Sequence, residues 1–190
     1  MNLTPCPSQT VGPYFHLVCT ATRSVGCLAG SKAKGERIRL IFQIFDGEGV
    51  PVNDSMIEIW QADAEGKYNH PADTQDKVAD PDCGGFGRLA TDKNGTCVFE
   101  TIKPGRVPGN GRTLQAPRRT ISVFARGVLN RLSTRAYFAG DPANAEDSVL
   151  ALVPEERRST LMACSDSLNT GNWRFAIHLC GKDETVFFDV

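Results

Sequence analysis

The chain has 190 residues, 41% hydrophobic and 8% aromatic, which is enough apolar material for a sizeable core and predicts one domain spanning residues 1–190. Its 21 basic and 22 acidic side chains nearly cancel, so no net field would draw it to nucleic acid or a membrane surface, and neither partner is expected. The opening MNLTPCPSQT lacks a signal-like apolar run and no stretch reaches the ~18 apolar residues of a membrane span, so a cytoplasmic protein is expected.

Residues 8–15, SQTVGPYF, are unlike a polar frayed tail, because Thr10 leads into the conformationally committed Gly12, Pro13 and Tyr14. Further on, RIRLIFQIF at 37–45 puts Ile38, Leu40, Phe42 and Ile44 on one face at period two before Asp46-Gly47-Glu48-Gly49 breaks the run. MIEIW at 56–60 reads as a second strand, followed by a turn at Asp63-Ala64-Glu65-Gly66. Residues 61–88 form the longest irregular connection, and structureless loops beyond ~15 residues are usually functional or disordered.

Asp92-Lys93-Asn94-Gly95 signals a hairpin before Cys97-Val98-Phe99, and TISVFARG, RLSTRAYF, NWRFAIHL and ETVFFDV complete the strand set. About eight short strands at this spacing predict an all-β protein, an antiparallel β-sandwich. Two accessory helices are expected, at 145–152 and at 154–164, with Pro154 in a first turn and Glu155 and Glu156 complementing the helix dipole.

Seven cysteines, an odd number without a C-x-x-C pair, suggest neither a zinc site nor a disulfide framework. They are expected to be reduced and mostly buried, with Cys6 the candidate for exposure. His16, His70 and His178 are far apart and form no H-x-H or H-E-x-x-H, so a metal site is hard to build from histidines alone, and His178 reads as structural. No G-x-S-x-G elbow or Walker loop is present. Gly84-Gly85-Phe86-Gly87 lacks a lysine and a following helix, so it reads as a loop allowing close backbone approach. Tyr68 and His70, in GKYNH, are the most suggestive pair: tyrosinate and imidazole can both bind ferric iron, but two ligands are too few.

Seven stretches, in order, together resemble the intradiol ring-cleavage dioxygenases: PSQTVGPYFH (7–16), IEIWQADAEGKYNH (57–70), FGRLATDKNG (86–95), TIKPG (101–105), SVFARG (122–127), TRAYFAGDP (134–142) and the terminal ETVFFDV. The resemblance covers nearly the whole chain and implies a β-sandwich that cleaves catechols between their hydroxyl-bearing carbons with dioxygen and a non-haem ferric ion. It is to the α-type chain of heteromeric members that act on protocatechuate. That implies a homologous, iron-binding β subunit as partner, protocatechuate and O2 as small-molecule partners, and 3-carboxy-cis,cis-muconate as product.

The family's first tyrosine ligand falls on Tyr68, in a W-Q-A-x-x-x-G-x-Y frame counted from Trp60. Its second tyrosine falls on Val107, within Pro104-Gly105-Arg106-Val107-Pro108, and its two histidines fall on Arg118 and Thr120. Gln115 replaces the arginine that usually precedes those histidines. The resemblance therefore implies no catalytic or metal-binding residue on this chain, and leaves Tyr68, Val107, Arg118 and Thr120 as vestigial positions. Fe(III) would be held by the partner chain. The resemblance further implies a substrate-pocket role for Thr10, Gly12, Pro13, Tyr14 and Arg126, with residues 1–16 as an N-terminal pocket and interface segment. Arg126 would pair bidentately with the substrate carboxylate. Two other readings stand beside this one: a non-catalytic β-sandwich module for aromatic ligands or assembly, and a homomeric enzyme with its iron site rebuilt elsewhere.

Overall fold

A computed structural model describes residues 7–12, 17–21 and 23–190. Apolar alternation decides the long strand β1 (Arg37–Phe45), whose Ile38, Leu40, Phe42 and Ile44 all point into the core. Phe42 lies there edge-to-face with Phe99 (5.7 Å) and Phe175 (5.9 Å), an arrangement aromatic quadrupoles favour. Ile57, Ile59, Ile121 and Val123 close the same core from other strands.

The remaining strands are β2 (Met56–Trp60), β3 (Phe86–Ala90), β4 (Thr96–Ile102), β5 (Val107–Pro108), β6 (Leu114–Gln115), β7 (Arg118–Phe124), β8 (Leu132–Phe138), β9 (Met162–Ser165) and β10 (Asn172–His178). Eight of them form one sheet in the order β3-β2-β7-β8-β9-β10-β1-β4, while β5 and β6 make a separate ribbon. The β1–β10 and β8–β9 pairings are parallel, so the sheet is mixed rather than wholly antiparallel. Periodicity reveals which face a residue occupies but not the direction of its neighbour, which the crossover connections set.

The edge strands β3 and β4 are bridged by the segment around Val25–Ala29. Val25 exchanges backbone hydrogen bonds with Arg88 on β3, and Leu28 N–H donates to Glu100 O on β4. This strap nearly closes the sheet and occupies edge groups otherwise open to pairing with another chain.

Several expectations need correction. Among the described residues no α-helix forms: residues 142–161 instead carry three 3-10 turns, Pro142–Glu146, Leu150–Leu152 and Glu155–Leu161. The buried Asp147 carboxylate accepts from the backbone N–H of Val149 and Leu150, interrupting the first helical candidate. Pro154 is non-helical (φ −49°, ψ 136°) and precedes the third turn, and Met162–Ser165 leaves the second candidate to pair with β8 and β10. ETVFFDV is not a strand. Thr185 N–H donates to His178 O and Phe188 N–H to Ser133 O, single tethers rather than a ladder.

The thiols are free, but Cys27, Cys164 and Cys180 are exposed, and only Cys83 and Cys97 are buried among the described cysteines. Cys6 lies outside the described residues. His178 stacks on Phe45 at 5.0 Å. No helix among the described residues is long and apolar enough to cross a membrane.

Candidate functional site

The long loop after β2 is ordered by two carboxylates. Asp63 accepts from the backbone N–H of Glu65 and Lys67 at 2.9 Å each, and its other oxygen accepts from Asp80 N–H at 3.0 Å. Asp73 accepts from Tyr68 N–H at 2.8 Å and Gln75 N–H at 3.0 Å, and pairs with the Lys67 ammonium at 3.1 Å. Burial alone would raise the Asp73 carboxyl, but these donors and the Gln75 amide outweigh it and hold the group well below the usual carboxylate range. The loop is thus built around Tyr68.

Gly66 fixes where that loop lands. Its φ is +79°, and a Cβ there would stand 1.8 Å from Arg106 O, a contact only glycine permits. The loop therefore lies directly against the segment carrying Val107.

A cavity of about 370 Å³ opens beside this contact, lined by Tyr68, Val107 and Arg118 together with Trp60, His70 and Asp73. Three of the four vestigial positions thus share one pocket, and the fourth, Thr120, accepts a 3.2 Å hydrogen bond from Arg118 Nη1. The register explains the convergence: Arg118 and Thr120 are two apart on β7, and Thr120 pairs with Trp60 across β2. The Trp60 and Tyr68 rings are stacked, 5.9 Å apart and 8° from parallel, and His70 meets Trp60 edge-on at 6.2 Å.

Arg118, 9% exposed, forms the floor. Its Nε donates to Gln115 Oε1 at 2.8 Å, and the same oxygen accepts from Arg135 Nη1 at 3.1 Å. Burial lowers the Arg118 guanidinium below the usual arginine value. This donor set does not fit the ferric ion that the family implies. Val107 has no donor atom, and the guanidinium offers hydrogens and positive charge where a cation needs lone pairs. Among the described residues, no three His, Cys, Asp or Glu side chains cluster as a metal group.

The other candidate residues lie elsewhere. Thr10 Oγ1 accepts a 2.8 Å hydrogen bond from Gly127 N–H, which brings the N-terminal segment to the turn that carries Arg126. Arg126 Nε pairs with Asp54 Oδ2 at 3.0 Å and is 78% exposed. Neither Thr10, Gly12 nor Arg126 lines the Tyr68 cavity. Gly12 has open space where a Cβ would stand, so among the described residues no close backbone approach occurs there. Pro13, Tyr14 and His16 lie outside the described residues.

Sequence reasoning missed Asp73 and the bridging role of Gln115. Asp73 carries no motif signal; Gln115 stood out only as a replaced arginine.

A buried arginine also stands behind the site. Arg119 is fully enclosed, donating from Nε to Gln61 Oε1 and from Nη2 to Ile102 O at 2.9 Å each, and lies over the Phe138 ring. Burial lowers its guanidinium to about 9. Gln61, next to Trp60, is thereby tied to β4 and β7.

Comparison with known proteins is consistent in family. A family model described as a dioxygenase matches residues 10–181. The chain is 41% identical to the protocatechuate 3,4-dioxygenase alpha chain of Burkholderia cepacia, over 100% of this chain and 99% of that one. It is 38% identical to the beta chain from the same organism, over 80% of this chain and 67% of that one. The dioxygenase domain of a carbohydrate-binding fusion protein from Streptomyces sp. SirexAA-E shares the fold, with a TM-score of 0.64 at 24% identity, covering 96% of this chain and 100% of that domain. The predominantly β fold, the full-length matches and the ordered motifs around Tyr68 place this chain in the intradiol ring-cleavage dioxygenase family.

Proposed function

We propose that this chain is the α-type subunit of a heteromeric protocatechuate 3,4-dioxygenase, shaping the pocket in which a partner's iron site cleaves protocatechuate with O2. The observation that carries this reading is the Tyr68 cavity: a chain similar to an alpha chain over its whole length has Val107 and Arg118 facing Tyr68 where two ligands would be needed. A homologous β chain supplies the Fe(III) and with it the dioxygen chemistry. Thr10, Gly12, Pro13, Tyr14 and Arg126 are the substrate-pocket residues of this chain. The hydrogen bond between Thr10 and Gly127 supports the grouping, since it joins two of the segments involved.

Arg126 recognises the substrate carboxylate. Its guanidinium is exposed and its pairing with Asp54 is a surface contact, worth only ~0–1 kcal/mol, which an incoming carboxylate can replace. The chain is one domain over 1–190, a β-sandwich with antiparallel pairing along most of its ladder, and 1–16 is assigned as its N-terminal pocket and interface segment. Free thiols support a cytoplasmic setting.

The test is to purify the chain alone and with a homologue bearing two tyrosine and two histidine ligands. The pair is expected to show iron-tyrosinate absorption and protocatechuate-dependent oxygen uptake; absence of both overturns the proposal. In the pair, Arg126→Ala is expected to raise KM for protocatechuate about tenfold or more relative to unsubstituted catechol, as loss of a charged partner does. An unchanged preference removes Arg126 from the pocket.

A further inference from the structure

We propose that the cavity between Trp60, Tyr68 and Arg118 is itself a ligand site, held by this chain alone, for a small planar aromatic carboxylate. The charge argument starts at the floor. Arg118 is 9% exposed, and its hydrogen-bond partners, Gln115 Oε1 and Thr120 Oγ1, are both neutral. Among the described residues no carboxylate lies within ion-pair distance of it. A buried cation without an anion is costly, and a carboxylate entering the cavity would offset that cost.

The neighbouring charges leave the floor positive. Arg135 donates to the same Gln115 oxygen from the other side. Asp147 is near enough to stabilise the cation, but its oxygens are engaged by Tyr137 OH and the backbone N–H of Ala116, Val149 and Leu150. Asp73, which also lines the cavity, is paired with Lys67. An anion at the floor therefore meets the Arg118 guanidinium, with Arg135 behind Gln115 adding positive charge, while the nearby Asp147 carboxylate is already engaged.

The walls select an aromatic body. Trp60 and Tyr68, stacked on each other with centroids 5.9 Å apart, border the space together with their exposed ring edges and faces, and Val107 adds an aliphatic surface. The volume of about 370 Å³ sits at the lower end of the range for small-molecule sites, suited to a single substituted ring. An inorganic anion would satisfy Arg118 and leave these apolar faces in water.

The test uses the full-length chain without a partner. Isothermal titration with benzoate, its neutral analogue benzamide and inorganic phosphate separates aromatic carboxylate recognition from simple anion binding. Benzoate is expected to bind saturably below about 10 mM, and benzamide at least about tenfold more weakly, the discrimination expected of one charge-assisted contact. Phosphate is expected not to compete. Arg118→Met is expected to erase the preference for benzoate over benzamide.

Because Arg118 is buried, that variant could fail to fold, so Ala72→Phe at the exposed rim provides a second arm. It is expected to weaken benzoate at least about tenfold by occupying the cavity while leaving the melting temperature unchanged. No benzoate binding, equal binding of benzamide, full competition by phosphate, or unchanged affinity in the folded Ala72→Phe chain would each overturn the proposal. Since the readout needs neither iron nor a second chain, its failure leaves the subunit assignment untouched.

Discussion

Thr10 Oγ1 receives the Gly127 N–H at 2.8 Å, joining the start of the described chain to the turn after β7. Both residues are exposed, so the bond positions a segment rather than filling a core. Thr10→Val is therefore expected to shift the melting temperature by less than about 4 °C, the consequence of losing one net hydrogen bond of ~1 kcal/mol. In the assembled enzyme it should raise KM for protocatechuate several-fold with kcat changed less than twofold. Steady-state oxygen uptake checks this, and an unchanged KM would separate the segment from the substrate.

Gly66 tests the loop's placement. Alanine there would combine φ +79° with a Cβ 1.8 Å from Arg106 O. The expected cost is at least about 2 kcal/mol, since a disfavoured dihedral adds to a backbone clash that no rotamer relieves. Urea denaturation should show a lower midpoint at unchanged slope; a midpoint equal to wild type would mean the loop stands off from Val107.

Asp73 gives the loop an acid-sensitive clasp. Its folded pKa is held below the unfolded value of ~3.9, so its stabilisation is present above that value and is lost as pH falls from about 4 toward the lowered folded value. Hydrogen exchange at residues 67–75 should accelerate over that window in the wild type. In Asp73→Asn, exchange should already be fast at neutral pH and lack this acid step.

The thiols should divide sharply. Burial, with Asp92 nearby, pushes Cys97 up to about 12, and burial raises Cys83, so neither offers appreciable thiolate at neutral pH. A maleimide pulse read by mass spectrometry is expected to label the exposed Cys27, Cys164 and Cys180 within minutes, while Cys83 and Cys97 react only after unfolding. Labelling of Cys97 at the rate of Cys164 would contradict the packing around Phe42.

Much of the architecture was readable in advance because β1, β2, β7, β8 and β10 carry apolar alternation or branched runs in their own residues. What the sequence left open depends on partners far along the chain. FGRLA becomes β3 because Arg88 and its neighbours pair with β2, while ETVFFDV has the composition of a strand but finds only isolated tethers. Residues 145–152 and 154–164 read as helix, but Asp147 overrides the first by capping backbone donors locally and strand pairing of Met162–Ser165 shortens the second.

At the site, Tyr68 stood out in its frame, whereas Val107, Arg118 and Thr120 gained meaning only from family resemblance. Asp73 organises the loop through backbone donors brought to it by the fold, and no spacing announces such a role. The meeting of Thr10 with Gly127 is likewise a product of tertiary structure.

The parallel pairing of β1 with β10 sets a condition on how the protein is made. Arg39 pairs with Asn172 and Phe45 with His178, so an early strand waits for one of the last to leave the ribosome. Until then one flank of β1, with Ile38, Leu40, Phe42 and Ile44 beside it, lacks its neighbour, and contacts this distant in sequence form slowly. A stalled or truncated chain ending before residue 172 would present that unpaired flank as a template for aggregation. Production of intact protein should consequently favour lower temperature and slower synthesis.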